Sequence, residues 1–227
     1  MCGRYVLAAD ADDYAEFFSV DRLVTESLAP NYNVAPTDPV YTVAEWEGER
    51  LLGSMRWGLV PHWAKDRKSI HINARSETVA TTPVFRDSFS RKRCLVPADG
   101  FYEWEPKEKG RTPHWVYRAD GFPLAFAGIW STWKDPETEE WIRTCSIITT
   151  AAQGQITSIH DRMPVILVPD VWDAWLDRGL TDAHEAERLL QPIDVEALHE
   201  HPVSSEVNSV RNNHPRLTEP APQQRLL

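Results

Sequence analysis

The length, composition and charge of this chain exclude several classes of protein. At 227 residues, with 42% hydrophobic and 26% charged residues, it is a globular protein of one domain or a tight pair, not a disordered or fibrous chain. No apolar run approaches the roughly 20 residues of a membrane span, and the N-terminus lacks a signal-peptide pattern, which together predict a cytoplasmic protein without a membrane partner. Three cysteines without a CxxC spacing argue against a disulfide framework or a zinc site.

The net charge of −10 argues against a nucleic-acid partner, but the charges are unevenly distributed. Between Arg56 and Arg118, 13 lysines and arginines stand against 7 acidic residues. An acidic protein with a basic middle can offer a local phosphate-binding groove, although chance clustering on a solvated face gives the same count. Aromatic rings among arginines suit single-stranded nucleic acid, but most of the tryptophans in or near this stretch are expected in the core. These are Trp57, Trp63, Trp104, Trp115, Trp130 and Trp133.

Local patterns predict short helices and strands, with Gly or Pro between most of them. In chain order they are a helix at 10–18, a loop at 31–37, a hairpin of strands 40–46 and 50–57, strands at 93–97, 101–104, 114–118, 123–130 and 141–149, a helix at 151–159, a strand at 164–168, and helices at 170–177 and 182–190. The sum predicts an α+β fold with a strand-rich, mainly antiparallel core and peripheral short helices. The polar, Pro-rich residues 220–227 are expected to form a loose tail.

Cys2 directly follows the initiator Met1, and Cys is small enough for that Met to be removed. Its removal would leave a free α-amine beside the Cys2 thiol. Such a 1,2-aminothiol can form an imine with an aldehyde and then close a five-membered ring, and it is also the arrangement of an N-terminal nucleophile with its own base. Alternatively, Cys2 is a small hydrophobe that begins a buried strand. The position alone leaves both interpretations open.

Four polar segments interrupt the apolar strands, at 1–4, 72–77, 100–104 and 158–164. Together they offer a thiol, an amide, a carboxylate, an imidazole and three guanidinium groups. Each also has an ordinary structural interpretation. Asn73 could cap a turn, Glu103 could face solvent from its strand, and His160 could be a surface histidine. Arg75 and Glu77 could form a surface pair worth under about 1 kcal/mol.

In combination these segments resemble the SRAP family, the SOS-response-associated peptidase or abasic-site processing proteins. The resemblance rests on the order and spacing of the motifs Met1-Cys2-Gly3-Arg4, Tyr32-Asn33-Val34-Ala35-Pro36, Trp57-Gly58-Leu59-Val60-Pro61, Ile72-Asn73-Ala74-Arg75-Ser76-Glu77-Thr78, the run from Cys94 to Trp104, Ile159-His160-Asp161-Arg162-Met163-Pro164 and His201-Pro202-Val203-Ser204. It extends from Met1 to about Glu219, which predicts a single domain over 1–219. It implies the SRAP fold, with a barrel-like core.

The resemblance implies covalent capture of abasic sites in single-stranded DNA, or at single-strand and double-strand junctions, by a monomer associated with the nucleoid. It also implies self-processing peptidase and abasic-site lyase activities. The catalytic residues that it implies are Cys2, Asn73, Glu103 and His160. The DNA-binding residues that it implies are Arg4, Asn33, Pro36, Trp63, Arg75, Trp104, Thr149 and Arg162.

The chemistry of these side chains suits such a reaction. His160, with an ordinary pKa near 6.5, can help to open the closed sugar to its aldehyde. The neutral α-amine of Cys2 then attacks, Glu103 moves the protons as general acid and base, and the Cys2 sulfur closes a thiazolidine ring. Asn73 can orient the sugar hydroxyl or the amine, and arginines can hold the flanking phosphates. No metal or organic cofactor is required.

Two alternatives come from other functional classes. Cys2 could be the nucleophile of an N-terminal-nucleophile hydrolase that attacks an amide, with His160 and Glu103 as helpers. The chain could also be a noncovalent single-strand-binding module in which Cys2 is incidental. A covalent, heat-stable complex with an abasic oligonucleotide would distinguish covalent capture of abasic sites from these two alternatives.

Overall fold

The computed structural model describes residues 2–191 and 195–222, and most of their regular structure is β-strand. The strands are β1 (Tyr5–Leu7), β2 (Arg22–Leu23), β3 (Asn31–Val34), β4 (Pro39–Trp46), β5 (Glu49–Trp57), β6 (Asn73–Arg75), β7 (Arg93–Ala98), β8 (Gly100–Pro106), β9 (Arg111–Arg118), β10 (Leu124–Lys134), β11 (Trp141–Ala151), β12 (Arg162–Pro164) and β13 (Leu198–Pro202). The α-helices are α1 (Ala11–Phe17), α2 (Arg86–Arg91), α3 (Trp172–Leu176) and α4 (Ala183–Arg188). Short 3-10 helices lie at Gly154–Ser158, Pro169–Val171, Val195–Ala197, Ser205–Asn208 and Pro215–Thr218.

Five strands close into a barrel. β4 pairs with β5, β5 with β11, β11 with β10, β10 with β7, and β7 returns to β4. All of these pairings are antiparallel except that of β5 with β11. β10 is buried from Leu124 to Ser131 because both of its faces are covered, and its residues from Leu124 to Trp130 are accordingly all apolar. The predicted α+β class and the mainly antiparallel, barrel-like core are confirmed.

A second sheet connects the chain start to the segment around Glu103. Its strand order is β13-β9-β8-β1-β3, and Tyr5 of β1 lies opposite Phe101 of β8. Gly100 makes the close approach of β8 and β9 possible, since a Cβ atom there would lie 2.5 Å from the Trp115 ring and from the Val116 carbonyl oxygen. The C-terminal segment packs against this sheet through a small apolar cluster, which contains Val6, Tyr102, Trp115, Val203, Val207 and Leu217.

Several sequence-based boundaries are corrected by the structure. The predicted loop at 31–37 begins as strand β3, which pairs with β1. The predicted helix at 151–159 reduces to the 3-10 helix Gly154–Ser158. The predicted strand at 164–168 lies instead at Arg162–Pro164, followed by a single bridge at Ile166. Part of the predicted tail, 223–227, lies outside the described residues; at its start, the Ala221 N–H donates to the Pro202 carbonyl at 2.8 Å.

Within the described ranges, no helix combines the length and apolar character needed to cross a membrane.

Candidate functional site

Cys2 and Asn73 are joined by a direct hydrogen bond. Asn73 begins β6, which runs parallel to β11 and places Asn73 opposite Ile147. From there the Asn73 Nδ2 donates to the Cys2 carbonyl oxygen at 2.8 Å. Cys2 is fully buried, just before the first strand. The Asn73 Oδ1 is a buried acceptor that has no hydrogen-bond partner among the described residues.

Glu103 is buried beside Cys2, not turned toward solvent. Only 1% of Glu103 is exposed, because β8 is covered on the face from which this side chain projects. Burial disfavours the carboxylate and raises the pKa of Glu103 from 4.5 to about 7. Burial also raises the pKa of the Cys2 thiol well above its ordinary value, and the nearby Glu103 charge raises it further. The thiol is therefore protonated at neutral pH.

His160 completes the group from the segment after the 3-10 helix Gly154–Ser158. Its Nε2 lies 4.0 Å from the Glu103 Oε2. The backbone N–H of Arg162 donates to the His160 Nδ1 at 2.9 Å, which places the proton of a neutral ring on Nε2, toward Glu103. Burial lowers the pKa of His160, so the imidazole is neutral at pH 7. Asp161, whose Oδ1 lies 2.8 Å from the same Nδ1, can pair with the ring once it is protonated.

The raised pKa of Glu103 predicts a pH-dependent cost in stability. The folded-state pKa of about 7 lies above the ordinary 4.5, so the stability that the protonated form contributes is complete below about pH 4.5 and is lost as the pH rises through 7. Glu103→Gln should remove this dependence. We expect the variant to gain up to about 3 kcal/mol relative to the wild type at pH 8 and little at pH 4.5. Urea unfolding of both proteins at pH 8 and pH 4.5 measures this difference in the free energy of unfolding. Equal gains at the two pH values would contradict the assignment of Glu103 as a buried carboxyl group.

Arg4, Asn33 and Trp104 form one cluster on the second sheet. The Arg4 guanidinium donates to the Asn33 Oδ1 at 2.8 Å and to the Val207 carbonyl at 2.9 Å, and it lies 6.0 Å from the centre of the Trp104 ring. The Trp104 indole N–H donates to the Asn208 Oδ1 at 2.7 Å. These acceptors of Arg4 carry no net charge, so its positive charge remains available to an anion.

Arg75, Thr149 and Arg162 form a second cluster at the edge of the barrel. Arg75 lies opposite Thr149 in the pairing of β6 with β11, and it is exposed. Arg162, at the start of β12, donates to the Thr149 carbonyl oxygen at 2.7 Å. The same guanidinium makes a bidentate ion pair with Glu77, at 2.6 and 2.9 Å. The surface partner of Glu77 is thus Arg162, not Arg75.

The two remaining predicted DNA-binding residues lie in loops. Pro36 is half-buried between β3 and β4, and Trp63 is 54% exposed between β5 and β6. The other tryptophans of the basic stretch, Trp57, Trp115, Trp130 and Trp133, are buried as expected. This leaves Trp63 and the half-buried Trp104 as the tryptophans of that stretch able to stack on a base.

Two residues at the site, Asp161 and Asn208, were not singled out from the sequence. Glu77 was considered as a partner of Arg75, but its partner in the structure is Arg162, 85 positions away. Asp161 follows His160 directly, and that adjacency was the available signal. Asn208 contacts Trp104 from the C-terminal segment, and no local pattern predicts that contact.

Comparisons with known proteins show which proteins the chain is similar to. The chain matches the family model described as SOS response associated peptidase (SRAP) over residues 1–210. It is 42% identical over 223 residues to the Bacillus subtilis protein named abasic site processing protein YoqW, covering 96% of this chain and 99% of that protein. It is 39% identical over 217 residues to abasic site processing protein YoaM of the same organism, covering 94% and 95%. A crystal structure of a Bacteroides thetaiotaomicron protein superposes with a TM-score of 0.86 at 26% identity, covering 97% of this chain and 100% of that chain.

Proposed function

Because the chain belongs to the SOS response associated peptidase (SRAP) family, and relatives at 42% and 39% identity are named abasic site processing proteins, we propose that it acts on abasic sites in DNA. More specifically, it shields abasic sites in single-stranded DNA by a covalent thiazolidine crosslink through Cys2, after Met1 has been removed. The observation that carries the proposal is the convergence of Asn73, Glu103 and His160 on Cys2.

The α-amine of Cys2 attacks before the sulfur does. The buried thiol has a raised pKa and is protonated, so it is a poor nucleophile at neutral pH. A neutral amine adds to the open-chain aldehyde to give a carbinolamine, which loses one water to form an imine. The thiol then adds across the C=N bond: the S–C bond forms and the thiol proton ends on nitrogen. The Asn73 Oδ1 is suited to accept an N–H from the amine or an O–H from the sugar.

Glu103 and His160 divide the proton transfers. A carboxyl with a pKa of about 7 can give and take protons near neutral pH, which suits carbinolamine dehydration. The neutral imidazole of His160 carries its proton on Nε2, where it can serve the ring oxygen as the sugar opens. Because both groups are partly withdrawn from solvent, water competes less for the imine.

The DNA strand is held by the two clusters of binding residues. Arg4 and Trp104 offer a charge and a ring on the second sheet, and Arg75 and Arg162 offer charges at the barrel edge. Pro36, Trp63, Asn33 and Thr149 complete the binding residues of the proposal. Single strands, or junctions with a duplex, are preferred because an intact duplex hides both the sugar and the stacking faces. One copy of the chain supplies every one of these side chains, so a monomer suffices.

Incubation with an abasic oligonucleotide tests the proposal. The expected result is a shifted band that survives heat and denaturant, and that is missing with an undamaged strand of the same sequence. A complex that disappears at high salt and gives no heat-stable band would favour the noncovalent binding module. Cleavage of peptides without an adduct would favour the N-terminal-nucleophile hydrolase.

Substitutions in the two binding clusters should have different effects. Arg75→Ala should weaken binding to strands of every sequence and reduce the salt slope by roughly 0.7, the loss of one phosphate contact on a single strand. Trp104→Ala should cost about 1–3 kcal/mol of binding if a base stacks on the ring, and should change the salt slope little. Fluorescence anisotropy over a salt series measures both.

Arg22→Ala is a matched control, because Arg22 is an exposed arginine on β2, paired with Glu49 and outside both clusters. It should leave affinity and salt slope near the wild-type values. Tighter binding to intact duplex than to single strands at matched salt would contradict the proposed groove.

A further inference from the structure

Glu77 holds Arg162 in the geometry that a phosphate would use. The Glu77 Oε1 and Oε2 accept from the Arg162 NH1 and NH2 at 2.6 and 2.9 Å. A guanidinium recognises phosphates and carboxylates with the same fork of parallel N–H donors. The carboxylate therefore occupies the edge of Arg162 that would face a DNA backbone.

The other donors of Arg162 offer no equivalent edge. Its NH2 also donates to the Thr149 carbonyl oxygen at 2.7 Å. Its Nε is buried, without a hydrogen-bond partner among the described residues, and cannot be reached by a strand from solvent. A bidentate phosphate at Arg162 thus requires Glu77 to leave.

Glu77 is the more exposed member of the pair, and therefore the one that can leave it. The Arg162 side chain is 14% exposed and is fixed by Thr149, whereas the Glu77 side chain is 50% exposed. The hydrogen bonds from Arg162 lower the pKa of Glu77, so its negative charge is present at neutral pH. The hydrogen bonds of Arg4 differ from those of Arg162 in the charge of their acceptors, because Arg4 donates to an amide and to backbone carbonyls, which are neutral.

We propose that Glu77 limits noncovalent DNA binding: in the free protein it competes with the DNA backbone for Arg162, and a phosphate must displace it to make a bidentate contact with this guanidinium. The inference rests on the proposed function. Competition weakens the noncovalent hold on all strands alike, but an abasic strand becomes covalently bound whereas an undamaged strand can only dissociate. Weak noncovalent binding therefore reduces occupation of the protein by undamaged DNA.

The test compares Glu77→Gln with Glu187→Gln. Both substitutions remove one negative charge from the same surface pocket, but Glu187 is paired with His184, not with an arginine. Glu77→Gln should bind an undamaged single strand about 2- to 5-fold more tightly at low salt, the range for one partly exposed ion pair. The concentration of undamaged strand that halves the crosslinking of an abasic oligonucleotide should fall by the same factor. In an Arg162→Ala background, the Glu77→Gln effect should vanish.

Two different failures can be told apart. If wild-type protein forms the adduct but Glu77→Gln binds no more tightly than Glu187→Gln, the competition is contradicted and the proposed function is unaffected. Weaker binding by Glu77→Gln would instead make Glu77 a residue that orients Arg162. If the wild type neither binds single strands nor forms an adduct, the proposed function fails and this inference fails with it.

Discussion

Cys2→Ala should abolish the heat-stable adduct with abasic DNA, because no sulfur remains to close the thiazolidine ring. The α-amine survives in this variant once Met1 is removed, so a hydrolysable imine can still form. Cys2→Ser should behave similarly, with its hydroxyl a weaker ring-closing group than a thiol. In both variants, borohydride should trap an imine that is lost on heating without it. Denaturing gels with and without borohydride measure the difference.

Cys94→Ala is the matched control, because Cys94 is equally buried but has no α-amine beside its thiol. It should keep the heat-stable adduct. An undiminished stable adduct with Cys2→Ala would exclude the thiazolidine mechanism.

Glu103→Gln and His160→Ala should each slow crosslinking by about 10- to 10⁴-fold, the usual range for the loss of a general acid or base. Binding to the same DNA should change little, since neither side chain is assigned to a phosphate or a base. Glu103→Gln should also flatten the pH profile of the rate near 7, where the pKa of the buried carboxyl lies. Single-turnover crosslinking at several pH values gives both results.

Glu105→Gln and His199→Ala are controls of the same chemistry. Glu105 lies two residues along the same strand but pairs with Lys107 and His114, and His199 packs near Tyr117. Both should crosslink at wild-type rates. Wild-type rates in the Glu103 and His160 variants as well would remove these two residues from the mechanism.

Elements whose signals are local could be predicted from the sequence. The β4–β5 hairpin follows from Glu47-Gly48, where both residues take positive φ values of 55° and 81°, as a two-residue hairpin turn requires. Helix α4 begins after Asp182, whose side chain accepts the Glu185 N–H as an N-cap.

Elements that depend on distant partners could not be predicted in the same way. Asn31–Val34 has the composition of a loop and becomes strand β3 because β1 pairs with it. The segment 165–168 is apolar and rich in β-branched residues, yet it forms no regular strand, and its residues 165–167 are buried. In each case tertiary context overrides local propensity.

The candidate site shows the same difference between features with a local sequence signal and features that depend on distant contacts. Motif order identified the residues around Cys2, and the structure places Asn73 and His160 near it through β6 and the segment before β12. Alternation along β8 left Glu103 open to a solvent-facing interpretation, and only the packing of the second sheet buries it. The pairing of Glu77 with Arg162 joins two motifs far apart in the chain, so spacing could not reveal it.

Mass spectrometry of the crosslinked N-terminal peptide tests the central claim most directly. Protein incubated with an abasic oligonucleotide should lack Met1 and gain the mass of the oligonucleotide minus one water, as the thiazolidine requires. After nuclease and protease digestion, the remaining sugar should be on the peptide that begins with Cys2, and borohydride should not change its mass. An adduct on a lysine, or on protein that retains Met1, would contradict the account.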